Sequence, residues 1–376
     1  MRATIVRIGL LVAFLAVGAY FMNRAWDYST QLGDRVLHGE ILMPTTAEAT
    51  VTATGNGTIT LSSSRPEFSR PGTFAVEWSD GRATLHDILE STATTVTRRV
   101  IGGTLPATGT QVSFTRSVLD DDPRAALGLE FRTVDIETEH GSAPAWLLSG
   151  SNRWVVFVHG QDAGMEFALP MLPVVAEAGL SALVITYRND GVGPADPSGA
   201  HRFGQTEWRD LHDAIRFIIG TGGTELVLVG QGMGGSIVMA FQEQSSLSSR
   251  VTGIVLDAPI LDLSDTVDFV DVTIPTGFRT VAKQLAAFRF DIRWAQLDYL
   301  RGASTLEVPV LLFHGTQDAT VPLATSEALD NLLEDLVIYR PVAGAGHGES
   351  WNVEPTEYED AFGDFLRFVD QSASSG

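Results

Sequence analysis

The chain has 376 residues, more than one domain usually needs, which implies two folded units and a terminal appendage. A hydrophobic content of 44% with 19% charged residues excludes global disorder, and the absence of cysteine excludes a disulfide scaffold, a thiol nucleophile and a thiolate metal site. The formal net charge is −21, and one lysine, Lys283, stands among 25 basic residues, so nothing in the sequence offers a basic surface to nucleic acid.

Residues 8–22 (IGLLVAFLAVGAYFM) form an uncharged apolar run preceded by Arg2 and Arg7 and followed by Arg24, Trp26 and Asp27. This is the pattern of an export element. It predicts an N-terminal transmembrane helix that anchors the protein by a single pass, with the bulk of the chain outside the cytoplasm. The alternatives are a signal segment cleaved at Val17-Gly18-Ala19, which would release a secreted protein, and a buried first helix of the globular domain. Residues 1–30 are assigned to this segment.

Residues 31–130 read as a small β-rich domain. Thr, Ser, Gly and Val dominate, alternation is visible at 58–61 and 74–78, and Ser79-Asp80-Gly81 has the chemistry of a hairpin turn. The run Asp120-Asp121-Asp122-Pro123 reads as a solvated linker, because three adjacent carboxylates cannot all face one ion.

From residue 131 the pattern changes to short apolar runs at 154–158, 182–187, 226–229, 253–257 and 308–314, separated by amphipathic stretches. In one of these, Trp208, Leu211, Ile215, Ile218 and Ile219 fall on one helical face. Such alternation predicts an α/β fold with a mostly parallel, doubly wound sheet over 131–371. A hairpin at 133–139 and 143–148 precedes it. An insertion at 262–304 is expected to form a short helical lid over the strand ends.

Chemistry-bearing motifs follow the strands. His159-Gly160-Gln161 comes after the first run, in a turn that could aim the Gln161 N–H at an oxyanion. Gly230-Gln231-Gly232-Met233-Gly234 has the layout of a strand, a sharp turn and a helix start, with Gly232 at the apex and the Met233 N–H as a second donor. Asp318 follows the 308–314 run, and His347 lies in the Gly-rich loop after 336–340. The order is elbow, acid, base. Ser236, one helical turn beyond Gly232, is expected to lie down the helix and not at the apex.

Residues from about 131 to 370 resemble the α/β-hydrolase superfamily, near its serine-aminopeptidase and lipase-like branches. The resemblance is carried by VVFVHG at 155–160, TYRND at 186–190, TEWRD at 206–210, LVGQGMGGS at 228–236, VLDAP at 255–259, LLFHGTQDATVP at 311–322 and GAGHGESWN at 344–352. The whole chain is similar to bacterial membrane-anchored or exported members with a β-rich segment before the hydrolase domain. The resemblance implies Asp318 and His347 as catalytic acid and base, Gln161 and Met233 as oxyanion donors, and Gly232 at the nucleophile position, where the family carries serine. It implies a small ester, thioester or peptide-like ligand. No cofactor and no metal are called for, since neither an HExxH nor a His/Cys cluster occurs.

Three readings stay open. One is a hydrolase by kinship, weakly active or inactive because its attacking hydroxyl is missing; another is a non-catalytic binding pseudoenzyme that uses the lid-covered pocket; the third is a variant of an active serine enzyme. A minor rival is a dinucleotide site, since Gly230, Gly232 and Gly235 spell GxGxxG and Asp257 ends the next strand. That rival leaves the HG turn, HGTQD and GAGH unexplained.

Overall fold

The structure is a computed structural model that describes residues 2–38, 47–161, 163–270 and 276–373. It contains a small β-barrel and a larger α/β unit. The barrel closes in the order β1 (Ala47–Gly55), β2 (Thr58–Ser62), β5 (Thr95–Gly103), β4 (Gly81–Ser91), β3 (Phe74–Trp78), β6 (Gln111–Thr115). Alternation drives it. In β2, Ile59 and Leu61 point inward while the flanking Thr and Ser remain partly exposed. Asn56 and Gly57 join β1 to β2 with φ values of 52° and 73°, the positive pair that a two-residue hairpin turn requires.

An arginine sits inside the barrel. Arg98 is fully buried and donates to the carbonyls of His86, Phe68, Arg70 and Gly72 at 2.6–3.2 Å. Burial pushes its guanidinium down to about 10. Four carbonyl acceptors replace the water it lost, and in doing so they fix the 68–72 segment against the barrel.

The second sheet has eight strands in the order β14 (Val337–Val342), β13 (Val310–Gly315), β12 (Val251–Asp257), β11 (Glu225–Gln231), β9 (Arg153–Val158), β10 (Ser181–Ile185), β8 (Gly141–Leu148), β7 (Arg132–Thr138). The six strands β9 to β14 run parallel, and β8 and β7 add an antiparallel edge. This is the mostly parallel, doubly wound sheet expected from the apolar runs. Its central strands are buried along nearly their whole length because helices cover both faces. One face packs against Leu211, Ile215, Ile237 and Phe241, the other against Leu172, Val175, Phe362 and Phe365. The chain reverses direction across the sheet at β9, whose neighbours are β10 on one side and β11 on the other. The crevice at such a reversal is where open α/β sheets place ligands.

The N-terminal transmembrane helix expected from residues 8–22 needs correction. Among the described residues, no helix is long and apolar enough to cross a membrane. The apolar run belongs to a longer helix, α1 (Arg2–Leu37). A run of this length rises ~22 Å as a helix, short of the ~30 Å hydrocarbon core. Past it the helix turns polar and docks: Tyr28, Leu32 and Val36, spaced four residues apart, are buried in the core of the α/β unit.

Candidate active site

Strand β11 ends at Gln231, and the helix Met233–Gln244 starts two residues later. Gly232 joins them with φ 54° and ψ −116°, a conformation that side-chain-bearing residues reach only under strain. The turn can be this tight because its flanking glycines leave room. A Cβ on Gly230 would meet Gly234 O at 2.6 Å, and one on Gly234 would meet Val158 O at 2.0 Å. The Gly232 amide donates to Asp257 O at 3.0 Å, which pins the apex to β12.

The apex faces an imidazole. A Cβ built on Gly232 would lie 3.1 Å from His347 Nε2 and 3.6 Å from its Cε1. Behind the ring, His347 Nδ1 is 2.8 Å from Asp318 Oδ2. The other Asp318 oxygen accepts from the amides of Thr320 and Val321 at 2.7 and 2.8 Å. Burial pushes the Asp318 carboxyl up, but the His347 charge and the hydrogen bonds from His314 and His347 outweigh it and hold the group well below the usual carboxylate range. The structure thus brings Gly232, His347 and Asp318 together from three separate strand ends.

The remaining motif residues divide by task. Met233 opens its helix, so its amide is among the first N–H groups that lack an intrahelical acceptor. Gly160 lies against the apex, where a Cβ would be 3.0 Å from Gln231 O. Gln161 is buried, and its side-chain Nε2 bonds Val36 O at 3.2 Å and His201 Nδ1 at 2.9 Å. The C-terminal end of α1 therefore braces this residue. His159 stands apart from the apex: its Nε2 is 3.1 Å from Asp190 Oδ2, its ring stacks on Tyr187 at 4.5 Å, and it serves to hold the loop after β10. Ser236 is buried and donates to Ile260 O at 2.6 Å, which ties its helix to the segment after β12.

The glycines of the dinucleotide rival are used for packing. A Cβ on Gly235 would meet Pro259 at 2.7 Å, and the Asp257 carboxylate accepts from Ser350 Oγ at 2.7 Å. Burial raises the Asp257 carboxyl to about 6. Among the described residues, no group of three or more His, Asp or Glu side chains is placed to hold a metal ion.

Sequence reasoning missed two parts of the site. His314 places its Nε2 3.2 Å from Asp318 Oδ2, so one carboxylate serves two imidazoles; the i, i+4 spacing within HGTQD was the available signal. The second is the barrel. A cavity of about 670 Å³ opens beside His347, and Glu67, Arg70, Phe114, Arg116 and Leu119 of the barrel and its exit segment form one of its walls. From the 262–304 insertion, Val270 alone is among the described lining residues. Residues 271–275 of that insertion lie outside the described residues; among the described ones, the barrel and its exit segment supply much of the wall.

The barrel also grips the loop that carries His347. Arg70 Nη1 is 2.5 Å from Glu349 Oε1, and Glu349 Oε2 accepts from the Gly346 amide at 2.9 Å. Arg116 donates to His347 O at 3.3 Å, and Asn352 Nδ2 donates to the carbonyls of Thr73 and Arg116, each at 2.8 Å. No sequence pattern announces contacts between residues more than two hundred positions apart.

Comparison with known proteins divides the chain in the same place. Residues 155–361 match the alpha/beta hydrolase family, and residues 50–115 match a domain of unknown function, DUF8805. The uncharacterized protein YfhR of Escherichia coli O157:H7 is 23% identical over 224 residues, covering 57% of this chain and 70% of YfhR. YfhR of Salmonella typhimurium strain LT2 is 25% identical over 186 residues, covering 46% and 57%. Among solved structures, the Pyrococcus furiosus esterase Pf2001 superposes with a TM-score of 0.53 at 18% identity, covering 66% of this chain and 96% of the esterase. That likeness is one of fold.

Proposed function

Because the chain belongs to the alpha/beta hydrolase family, we propose that its centre is a hydrolase site for a small ester, thioester or peptide-like ligand in which glycine occupies the nucleophile position. The observation that carries this reading is the positive-φ apex at Gly232, whose absent Cβ would sit 3.1 Å from His347 Nε2. A serine there would place its hydroxyl within reach of the imidazole. Without it, no acyl-enzyme forms, and the residual chemistry is direct hydrolysis.

In that reaction a water occupies the space beside Gly232, and His347 Nε2 takes its proton as the oxygen attacks the carbonyl carbon. Asp318 holds the ring in the productive tautomer and stabilises the imidazolium. The amides of Gln161 and Met233 receive the developing oxyanion. Collapse of the tetrahedral intermediate expels the leaving group, which regains the proton from His347. In a serine protease, loss of the nucleophile lowers turnover by about 10⁶, so the expected rate is small.

Two measurements test this. A fluorophosphonate should leave the natural chain unlabelled and should label the Gly232→Ser variant, with esterase turnover appearing in parallel. Labelling of the natural chain would show a nucleophile elsewhere and overturn the reading. A silent Gly232→Ser variant would favour the alternative of a pocket used for binding alone.

The exposed half of α1 supports a reading of location. Ile8, Leu11, Phe14, Leu15 and Phe21 are each at least half exposed, on a helix whose other half is docked. This half of α1 is proposed to lie in a lipid surface, with the folded units outside the cytoplasm. Release of the protein from membranes when residues 2–24 are deleted would support it; full-length protein found wholly in the soluble fraction would not.

A further inference from the structure

The side chain of Gln161 is held from two directions. Its Nε2 donates to Val36 O of α1 at 3.2 Å and meets His201 Nδ1 at 2.9 Å. His201 lies in the segment between β10 and the helix Trp208–Gly220. That segment is tied to α1 and to itself: the His201 amide donates to Leu37 O at 2.8 Å, its Nε2 lies 2.8 Å from Asn189 O, and Asn189 Nδ2 donates to Ala200 O at 2.9 Å.

These partners fix where the hydrogen of the His201 ring sits. A carbonyl oxygen only accepts, so the Nε2 that faces Asn189 O carries the hydrogen. Nδ1 faces an amide NH2 group that also points at Val36 O, so Nδ1 is the bare acceptor. Turning the Gln161 amide over would set its oxygen against Val36 O, two acceptors face to face, and the bond to α1 would be lost. One tautomer and one amide orientation therefore satisfy all three contacts. The same orientation leaves Gln161 Oε1 buried without a hydrogen-bond partner. A side chain selected for stability alone would not favour that, which points to a task for the place where Gln161 is held.

The task follows from what shares its Cα. The Gln161 side chain and the Gln161 N–H branch from one carbon, so clamping the first restricts the second. The preceding Gly160 has no side chain with which to anchor the peptide, and its Cα is 4.0 Å from the Cβ position of Gly232. We infer that His201 is a positioning residue for the oxyanion hole: together with Val36 O it clamps the Gln161 side chain and so aims the Gln161 N–H at the oxygen that becomes negative. α1 and the segment after β10 thereby take part in the chemistry of a centre they do not touch. This inference rests on the hydrolase reading of Gly232, His347 and the two amides.

The test has a kinetic arm and a spectroscopic one. In the Gly232→Ser background, His201→Ala should lower kcat by about tenfold or more and leave KM within about twofold, because an oxyanion donor acts on the transition state more than on the bound carbonyl. Asparagine carries an oxygen near the Nδ1 position, and glutamine carries its amide near Nε2. His201→Asn should therefore recover kcat to within about threefold of the background, a rescue scale set by one hydrogen bond, while His201→Gln, which keeps only the contact to Asn189, should stay with alanine. Equal kcat in the three variants, recovery by glutamine in place of asparagine, or an effect on KM alone would overturn the inference. The second arm needs no turnover. In the natural chain at about pH 8, above the ordinary histidine range, nitrogen NMR should find the His201 hydrogen on Nε2, and Gln161→Leu should shift the Nδ1 resonance and leave Nε2 in place. A hydrogen on Nδ1 would overturn the clamp whatever the kinetics. Silence of Gly232→Ser beside the expected tautomer would overturn the hydrolase reading and, with it, the catalytic role of a clamp that is nonetheless made.

Discussion

Asp318 holds His347 through the same oxygen that faces a second ring: Oδ2 is 2.8 Å from His347 Nδ1 and 3.2 Å from His314 Nε2. Both rings face the ionised carboxylate, so protonating it would weaken both contacts. Its pKa is held below the ordinary carboxylate value by the two imidazoles, against the opposing effect of burial. A depressed pKa contributes stability that is present above the unfolded-state value of about 4 and lost as pH falls below it. Asp318→Asn should therefore flatten the acid limb of the stability curve below about pH 4, measured by denaturant unfolding across pH. In the Gly232→Ser background the same change should lower turnover by about 10⁴ by disturbing the imidazole tautomer.

Asp257 predicts the opposite sign. Burial raises its carboxyl to about 6, with the Ser350 hydrogen bond pulling the other way. A raised pKa means that its contribution is fully present below about pH 4 and is lost as pH rises through about 6. Asp257→Asn keeps an acceptor for Ser350 and removes the buried charge. The variant should match the natural protein near pH 4 and exceed its stability by about 1–3 kcal/mol at pH 8. Equal melting curves at pH 8 would show that the carboxylate is better solvated than its burial implies.

Much of the sheet could be read in the chain because its strands are buried on both faces, which leaves dense apolar runs such as WVVFV at 154–158. The groups at their ends were legible for the same reason: a strand that stops at a Gly-rich turn marks where Gly232, Asp318 and His347 emerge. Asn56-Gly57 was an equally plain hairpin signal that the alternation around it concealed. What sequence could not carry was which surfaces meet. The Arg70–Glu349 contact joins residues with no periodic relation, and α1 looked like an anchor because its apolar run says nothing of the docked turns that follow, where Tyr28 and Leu32 are buried.

The grip of the barrel on the His347 loop should be visible in kinetics. Glu349 links Arg70 to the Gly346 amide, one residue before the imidazole. In the Gly232→Ser background, Arg70→Ala should lower kcat by about tenfold or more through loss of ring placement, a displacement effect of the kind that can reach 10² when reacting groups shift by about 1 Å. Unchanged kcat with a raised KM would assign Arg70 to ligand contact instead.

Arg98 should be indispensable to the barrel. Its guanidinium supplies the hydrogen bonds of four carbonyls, those of Phe68, Arg70, Gly72 and His86. Arg98→Met preserves much of the volume but strands those acceptors, at about 1–3 kcal/mol for each that water cannot reach. A loss of at least about 3 kcal/mol is expected in denaturant unfolding, together with weakened turnover in the Gly232→Ser background, because the segment held by Arg98 is the one that carries Arg70.

Gly232 itself sets stability against reactivity. Its φ of 54° and ψ of −116° suit glycine, and any Cβ there would crowd His347 Nε2 at 3.1 Å. Gly232→Ala adds the strain without any chemistry and should cost about 1–3 kcal/mol. Gly232→Ser adds the same strain but can recover part of it through a hydroxyl bond to the imidazole, worth about 1 kcal/mol. The two variants should therefore melt below the natural protein, with serine the milder, while serine alone reacts with a fluorophosphonate. If alanine melts at the natural temperature, the apex has relaxed away from His347, and the geometry on which the serine variant depends would be lost as well.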